Sequence, residues 1–342
     1  MTAALRGILE KLLKREDLAE DEAGRVLQEL TDPALSPVLA GAVLVALRAK
    51  GETPVEVRGF ARAMRQLARR PVLAPGSPIV DVVGTGGDAS GSVNISTGAA
   101  LLTAACGLRV VKHGNRSISS KSGSADTLEA LGLRMPLDEV RAGACLAATG
   151  FTFLFAPHYH PATKAIAPVR AALGVRTMFN ILGPLTNPAA PPFSLVGAFS
   201  LPAAELIANA FAGLAVERVM VVHGEPGWDE ATPVGPFHVF DVQDGRVTRS
   251  VRTAASYGMA ACKPQDLAGG DAQYNAARLR DVLEGRDRGA HRDAIVLETA
   301  LVLELTGRES EPRLAARAAA QAIDDGRAEK LLAGLARFGG GA

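Results

Sequence analysis

The first 70 residues carry a hydrophobic pattern typical of amphipathic helices. Apolar residues recur at the spacing of one helix face, at Leu5, Ile8, Leu9, Leu12 and Leu13. Ser36-Pro37 and Thr53-Pro54 are typical helix starts, and no strand-like alternation precedes Pro71. The sequence therefore predicts a small helical domain over residues 1–72, followed by a proline-rich connection.

From Ile79 onward the pattern changes to short apolar runs separated by helical stretches. The runs are predicted to be buried strands, at 79–83, 108–111, 153–155, 194–197 and 218–222. Helices are predicted between most of them, at 97–106, 124–131, 137–149 and 202–214, and again from about 272 to the end. Strands that alternate with helices predict an α/β domain with a mostly parallel central sheet, here over residues 73–342.

Composition and charge restrict the class of protein. Lys and Arg number 37 and Asp and Glu number 36, and a net charge of +1 gives no basic field for nucleic acid. The three cysteines are too few for a disulfide framework or a cysteine-based zinc site. Neither a secretory signal nor a membrane-spanning run is visible. We expect a cytoplasmic protein whose partners include neither nucleic acid nor a membrane.

A glycine-rich segment directly after the first predicted strand is the first candidate binding site. Residues 84–88, Gly-Thr-Gly-Gly-Asp, contain three glycines in four positions, which lets backbone N–H groups approach a phosphate closely. A Walker A loop is excluded because Gly-Lys-Ser/Thr is absent, and the features of a dinucleotide loop are incomplete. By itself the segment fits a tight turn without a ligand equally well.

Two further segments make a phosphate-rich ligand the favoured interpretation. Residues 94–97, Asn-Ile-Ser-Thr, open the next predicted helix, whose free N–H groups offer an anion site. Residues 112–116, Lys-His-Gly-Asn-Arg, follow the next strand and precede a series of serines at 117, 119, 120, 122 and 124. We expect all three loops at one edge of the parallel sheet.

Histidines and arginines lie close together between residues 156 and 188. His158 and His160 could suggest a metal, but no third ligand lies near them in sequence. Arg170 and Arg176 each fit either a surface ion pair or a bidentate contact with a substrate carboxylate. The sequence leaves both alternatives open.

An acidic pair, Asp229 and Glu230, follows the predicted strand at 218–222. Mg²⁺ binds one or two protein carboxylates and completes its shell with water and substrate phosphates. Taken alone, the pair fits two solvated acids in a turn better. Its occurrence beside three phosphate-type loops makes it a candidate magnesium site.

Together these segments resemble the anthranilate phosphoribosyltransferase family, which makes phosphoribosylanthranilate in tryptophan synthesis. The matching motifs also include Phe-Asn-Ile-Leu-Gly-Pro-Leu-Thr-Asn-Pro at 179–188, and the resemblance covers nearly the whole chain. It implies a small helical domain hinged to a large α/β domain, as in nucleoside phosphorylases, with the segment around 168–184 packed against the helices. It further implies phosphoribosyl pyrophosphate and anthranilate as substrates, Mg²⁺ as cofactor, and a homodimer.

The resemblance also implies roles for individual residues. Catalytic roles fall to Lys112, Arg170, Asp229 and Glu230, and the metal ligands are Ser96, Asp229 and Glu230. The residues expected to contact phosphoribosyl pyrophosphate are Gly84, Gly87, Asp88, Ser92, Asn94, Ile95, Ser96, Thr97, Lys112, His113, Gly114, Asn115, Arg116, Ser117, Ile118, Ser119, Ser120 and Ser124. Those expected near anthranilate are Gly84, His113, Asn115, His160, Arg170 and Pro184.

Two local departures from the family pattern and two rival functions accompany this resemblance. Trp228 stands where a smaller apolar residue is usual, and Glu298-Thr-Ala stands where Asn-Ala-Ala is common. One rival is a pyrimidine nucleoside phosphorylase, against which the 112–116 motif and the acidic pair count. The other is a nucleic-acid-binding relative, against which the small net charge and the intact motifs count.

Overall fold

The computed structural model describes residues 2–117 and 121–340. Its N-terminal part consists of four helices, α1 (Thr2–Leu13), α2 (Glu20–Leu30), α3 (Pro37–Lys50) and α4 (Pro54–Leu67). The start of α4 is a reciprocal cap, in which the Thr53 hydroxyl accepts from Glu56 N–H and the Glu56 carboxylate accepts from Thr53 N–H. This confirms the helical N-terminal domain that the apolar spacing predicts.

A seven-stranded sheet forms the centre of the remaining chain. Its strands are β1 (Ile79–Gly84), β2 (Arg109–Gly114), β3 (Phe151–Phe155), β4 (Phe193–Gly197), β5 (Arg218–Gly224), β6 (Phe237–Gln243) and β7 (Arg246–Arg252). They lie in the order β3-β2-β1-β4-β5-β6-β7, and the first five are parallel. The prediction of a mostly parallel sheet is confirmed.

Helices cover both faces of this sheet. Those between strands are α5 (Ile95–Ala105), α6 (Ser124–Ala130), α7 (Glu139–Thr149), α8 (Ala156–Tyr159), α9 (Ala167–Leu173), α10 (Phe179–Leu182) and α11 (Leu201–Phe211). The C-terminal helices are α12 (Ala272–Leu283), α13 (Ala290–Leu305), α14 (Pro312–Asp324) and α15 (Arg327–Gly340). Within the part of the chain that the structure describes, no helix is long and apolar enough to cross a membrane.

The antiparallel hairpin β6–β7 is the element that our strand prediction missed. Its two-residue turn is Asp244-Gly245, and both residues have positive φ, 51° and 70°. An Asp-Gly pair suits this turn because both central residues of a type I′ turn need positive φ. The turn signal was therefore present in the sequence, but β6 and β7 mix apolar and polar residues and so lack the continuous apolar run of a buried parallel strand.

Two hydrophobic cores lie on opposite faces of the sheet, because side chains alternate along each strand. Val82 of β1 packs in the core beneath α5 and α13, whereas Val83 packs with α11 and the N-terminal helices. On that second face, α9 lies against α3, where a Cβ built on Gly41 would be 3.7 Å from Val169 and Leu173. The boundary between the domains at residue 72 stays a prediction.

Candidate active site

The acidic turn at Asp229 and Glu230 lies directly against the carboxyl edge of the sheet. Four strands end in glycine at this edge, and three of these glycines lie against the turn, Gly84 in β1, Gly197 in β4 and Gly224 in β5. A Cβ on Gly84 would be 2.5 Å from an Asp229 carboxylate oxygen, one on Gly197 1.6 Å from the Asp229 carbonyl, and one on Gly224 2.3 Å from the Glu230 carbonyl. At Gly197 and Gly224 the neighbouring atoms are backbone carbonyls, so glycine is required there for the turn to approach so closely.

Hydrogen bonds connect the acidic pair to two of the predicted loops. Asp229 accepts from the backbone N–H of Gly86 at 2.6 Å. Glu230 accepts from the Ser96 backbone N–H at 3.1 Å and from the Ser92 hydroxyl at 3.2 Å. The structure thus brings the glycine-rich loop and the start of α5 together around the pair that sequence reasoning proposed as metal ligands.

Burial and mutual repulsion disfavour charge on the acidic pair. Asp229 and Glu230 are only 8% and 7% exposed. Burial, with the nearby Asp88, raises the pKa of Asp229 to about 7, and burial with Glu298 and Asp229 raises that of Glu230 well above its usual value. This concentration of acids fits a bound cation, which would relieve the repulsion.

The residues fit magnesium better than a metal held by protein ligands alone. In the described ranges, no three His, Cys, Asp or Glu side chains are grouped so that they could hold a metal ion. Mg²⁺ needs only one or two carboxylates when water and phosphate oxygens supply the remaining ligands. Asp229 and Glu230, with Ser96, whose backbone N–H bonds Glu230, would hold such an ion.

Lys112 lies beneath this turn rather than open to solvent. It is 1% exposed, and its ammonium donates to the Val82 carbonyl and lies 3.4 Å from the Ser96 hydroxyl oxygen. Burial lowers the pKa of Lys112, while the carboxyls of Asp81 and Glu298 oppose that shift. The acidic pair also helps to favour the charged form of Lys112, so the ammonium and the pair interact electrostatically.

Sequence reasoning missed Asp81 and Asn187, which support the site from below. Asp81 is fully buried in β1 and accepts from His113 N–H at 3.2 Å and from the Asn187 amide at 2.8 Å. Burial raises its pKa to about 6, although Lys112 lies nearby. A carboxyl inside the apolar run 79–83 was the available signal, because an acid is almost never fully buried without a partner.

The 94–97 segment is more deeply embedded in the protein than its motif suggests. The Asn94 side chain makes no capping bond, but bonds Thr127 at 2.6 Å, Asn275 at 2.9 Å and the Ser122 carbonyl at 3.2 Å. Ile95 and Thr97 are fully buried. Of these residues, Ile95 can therefore offer a ligand only its backbone.

The 112–116 loop is held mainly by internal contacts. Arg116 pairs with Asp126 at 2.7 Å and with Glu129 at 2.6 Å, so its guanidinium is already occupied by two acids. Ser124 donates to the Asn115 carbonyl at 3.3 Å, which joins the loop to α6. Ile118, Ser119 and Ser120, also predicted to bind the substrate, lie outside the described residues.

His113, His160 and Pro184 lie together beside this loop. The two imidazole rings pack edge to face with centroids 5.1 Å apart, and His113 Nδ1 is 3.2 Å from the Gly183 carbonyl, next to buried Pro184. Burial lowers the pKa of His113 to about 3 and that of His160 to about 4. Both rings are therefore neutral at physiological pH.

We expect His160→Gln to gain stability relative to the wild type as the pH falls. Because the folded pKa of about 4 lies below the unfolded value near 6.5, protons bind mainly to the unfolded wild-type chain, which destabilises the fold below pH 6.5. Glutamine does not titrate, so the difference in unfolding free energy should move about 2 to 3 kcal/mol toward the variant between pH 7 and 4.5. Urea unfolding measures both values, and a constant difference would contradict a buried, neutral His160.

The two candidate arginines differ in their contacts. Arg176 donates to the Gly87 carbonyl and stacks 4.0 Å from the centroid of Phe199, so it holds the glycine-rich loop. Half-buried Arg170 lies 5.0 Å from the centroid of Phe179, and no carboxylate in the described ranges pairs with it. Burial lowers the pKa of Arg170. Of the two, Arg170 is the cation available to an anionic ligand.

Several known proteins are similar to this chain over almost all of its length. The anthranilate phosphoribosyltransferase of Rubrobacter xylanophilus is 44% identical over 334 residues, which cover 98% of this chain and 96% of that protein. That of Rhodospirillum rubrum is 43% identical, with 96% and 94% covered. The Thermus thermophilus enzyme structure matches with a TM-score of 0.90 at 40% identity, covering 97% and 98%. The Saccharomyces cerevisiae enzyme in complex with PRPP and Mg matches with a TM-score of 0.90 at 25% identity, covering 99% and 98%.

Family models divide the chain in the same way as the fold. The helical bundle domain of the glycosyl transferase family matches residues 6–68, and the a/b domain of that family matches residues 76–329. The helical bundle, and the α/β domain with phosphate-type loops at one edge of its sheet, together place the protein in the class of two-domain glycosyl transferases. Within that class, the chain belongs to the anthranilate phosphoribosyltransferase family.

Proposed function

We propose that this protein transfers the phosphoribosyl group of phosphoribosyl pyrophosphate to the amine of anthranilate. The products are N-(5-phosphoribosyl)anthranilate and pyrophosphate, and the reaction is the second step of tryptophan synthesis from chorismate. The observation that carries the proposal is the buried acidic pair, hydrogen-bonded to both the glycine-rich loop and the start of α5. Membership of the family supports the same reaction.

The difficult step is the departure of pyrophosphate, since negative charge develops on the leaving group. When bound, Mg²⁺ supplies Lewis-acid stabilisation of that charge. Asp229 and Glu230 hold acceptor oxygens at the sheet edge for it, while Ser96 and the charge of Lys112 face the same region. Backbone N–H groups of the glycine-rich loop that are not already paired add donors for the phosphates.

The acceptor needs orientation more than activation. The amine of anthranilate is an uncharged aniline near neutral pH, so no strong base is needed to make it nucleophilic. The Arg170 guanidinium would bind the ortho carboxylate and thereby aim the amine at the anomeric carbon. The neutral rings of His113 and His160 would pack near the aromatic acceptor without adding charge.

We expect anthranilate consumption to require a divalent cation. The acidic pair lies against two phosphate-type loops. The described residues hold no group of three metal-binding side chains, so substrate phosphates and water would have to complete the shell of a bound ion. Excess chelator should therefore abolish turnover, and added Mg²⁺ should restore it. Anthranilate fluorescence measures the reaction, and undiminished turnover in chelator would contradict the metal assignment.

The phosphorylase rival predicts a different substrate pair. A pyrimidine nucleoside phosphorylase would cleave thymidine with inorganic phosphate and leave anthranilate unchanged. Parallel assays with each pair distinguish the two functions. No described carboxylate pairs with the Arg170 guanidinium, which favours an acceptor that carries a carboxylate, and thymidine lacks one.

The homodimer and the cytoplasmic location expected from the sequence stay predictions. Sedimentation of the purified protein at several concentrations tests the first of them. A sedimentation coefficient of a single chain at every concentration would contradict the dimer.

A further inference from the structure

Glu298 is a third buried acid beside the acidic pair, and the proposed chemistry assigns it no part. It lies on α13, is 2% exposed, and one carboxylate oxygen accepts from the backbone N–H of Ala231 at 3.2 Å. Ala231 directly follows Glu230, so this contact holds the end of the acidic turn. The Thr299 hydroxyl is 3.4 Å from the Ala99 carbonyl, which joins α13 to α5.

The second oxygen of Glu298 has no hydrogen-bond partner. Oε2 is buried and unpaired within the described ranges. A buried carboxylate with an unpaired oxygen costs free energy, so it calls for a compensating interaction. The hydrogen bond from Ala231 does not by itself explain a carboxylate at this position. A neutral glutamine would offer the same acceptor oxygen without the cost of a buried charge.

The charges around Glu298 indicate what that interaction is. Asp229 and Glu230 lie within electrostatic range, and the nearby buried cation is Lys112. Burial raises the pKa of Glu298 to about 8, so its charged form is favoured at neutral pH only when a cation lies nearby. A divalent cation at the pair would offset all three acids together.

We infer that Glu298 is a positioning residue of the metal site. Its carboxylate holds the turn after Glu230 through Ala231 and places a third negative charge behind the pair, which tightens the binding of a divalent cation. This inference rests on the Mg²⁺ requirement in the proposed function. Groups behind the ligands of a metal site commonly change metal affinity by 10- to 100-fold.

Glu298→Gln separates the charge from the hydrogen bond, since its amide oxygen still accepts from Ala231. Mn²⁺ binding to the substrate-free protein, followed by the electron paramagnetic resonance signal of free Mn²⁺, should weaken about tenfold. Glu298→Asp keeps the charge, so its Mn²⁺ affinity should fall by less than about a third as much on a logarithmic scale, which is about twofold. Glu304→Gln is the matched control, because Glu304 is a buried acid of α13 bonded to Arg252 and Tyr257. It should leave Mn²⁺ affinity unchanged.

Turnover gives a second measurement that a purely structural role would not change. We expect Glu298→Gln to raise the Mg²⁺ concentration for half-maximal turnover about tenfold and to recover wild-type kcat at saturating Mg²⁺. The inference would be overturned if Glu298→Gln bound Mn²⁺ as tightly as the wild type. It would also be overturned if Glu298→Gln and Glu298→Asp lost Mn²⁺ affinity equally. A wild-type protein that turns over anthranilate but binds no Mn²⁺ would overturn it as well. Failure of the proposed function is distinct, since it would appear as absent turnover in the wild type.

Discussion

Asp229→Asn and Glu230→Gln should each lower kcat by about 10³-fold while leaving the melting temperature equal or higher. A group that stabilises leaving-group charge through a metal contributes several kcal/mol to the transition state, and about 4 kcal/mol corresponds to 10³-fold in rate. Both substitutions nearly preserve volume and retain an acceptor oxygen for the Gly86 or Ser96 N–H. They remove a charge from a place where burial and neighbouring acids already disfavour it, so the fold should not suffer.

Glu205→Gln is the matched control for this pair of substitutions. Glu205 lies exposed on α11, belongs to none of the site motifs, and makes no side-chain ion pair within the described ranges. Its loss should change neither kcat nor the melting temperature. Near-wild-type kcat of Asp229→Asn or Glu230→Gln at modest Mg²⁺ would show that the acidic pair is only structural.

Arg170→Ala should raise the KM for anthranilate by roughly 10- to 150-fold and leave that for phosphoribosyl pyrophosphate nearly unchanged. A hydrogen bond to a charged group contributes about 1.5 to 3 kcal/mol, which gives this range in affinity. Arg170→Lys should lose much of the same affinity, because an ammonium cannot reproduce the planar, two-pronged contact of a guanidinium. Some loss of kcat is expected too, since the carboxylate contact also aims the amine.

Arg141→Ala controls for the loss of an arginine stacked on a ring. Arg141 lies over Phe338 at 5.9 Å, much as Arg170 lies over Phe179, but on α7 and outside the set of residues expected to contact either substrate. Steady-state titration of each substrate separately gives the two KM values. Equal increases for both substrates in Arg170→Ala would reject Arg170 as the carboxylate anchor.

Much of the site could be predicted from the sequence because its loops follow the ends of parallel strands. A buried parallel strand is a continuous apolar run, so each run locates the loop that follows it. Glycine at three of these strand ends then lets the acidic turn approach the sheet, as at Gly197. These local features, together with the sheet topology, are enough to predict that Gly86, Ser96 and Glu230 lie close together.

The parts that sequence reasoning missed depend on contacts between distant residues. Asn187 reaches Asp81 across 106 positions, and Glu298 reaches Ala231 across 67, so neither spacing carries a local pattern. The contact of Arg116 with the substrate stays a prediction, but its pairing with Asp126 and Glu129 was not foreseen from the motif. A motif identifies residue types at a place in the chain, whereas the direction of each side chain depends on packing.

The most direct test of the proposed chemistry is the stoichiometry of one reaction. Purified wild-type protein is mixed with anthranilate, phosphoribosyl pyrophosphate and Mg²⁺, and anthranilate fluorescence and released pyrophosphate are measured in the same sample. We expect one pyrophosphate for each anthranilate consumed, and neither change when either substrate is omitted. Pyrophosphate release without loss of anthranilate, or an unchanged anthranilate signal in the complete mixture, would contradict phosphoribosyl transfer at this site.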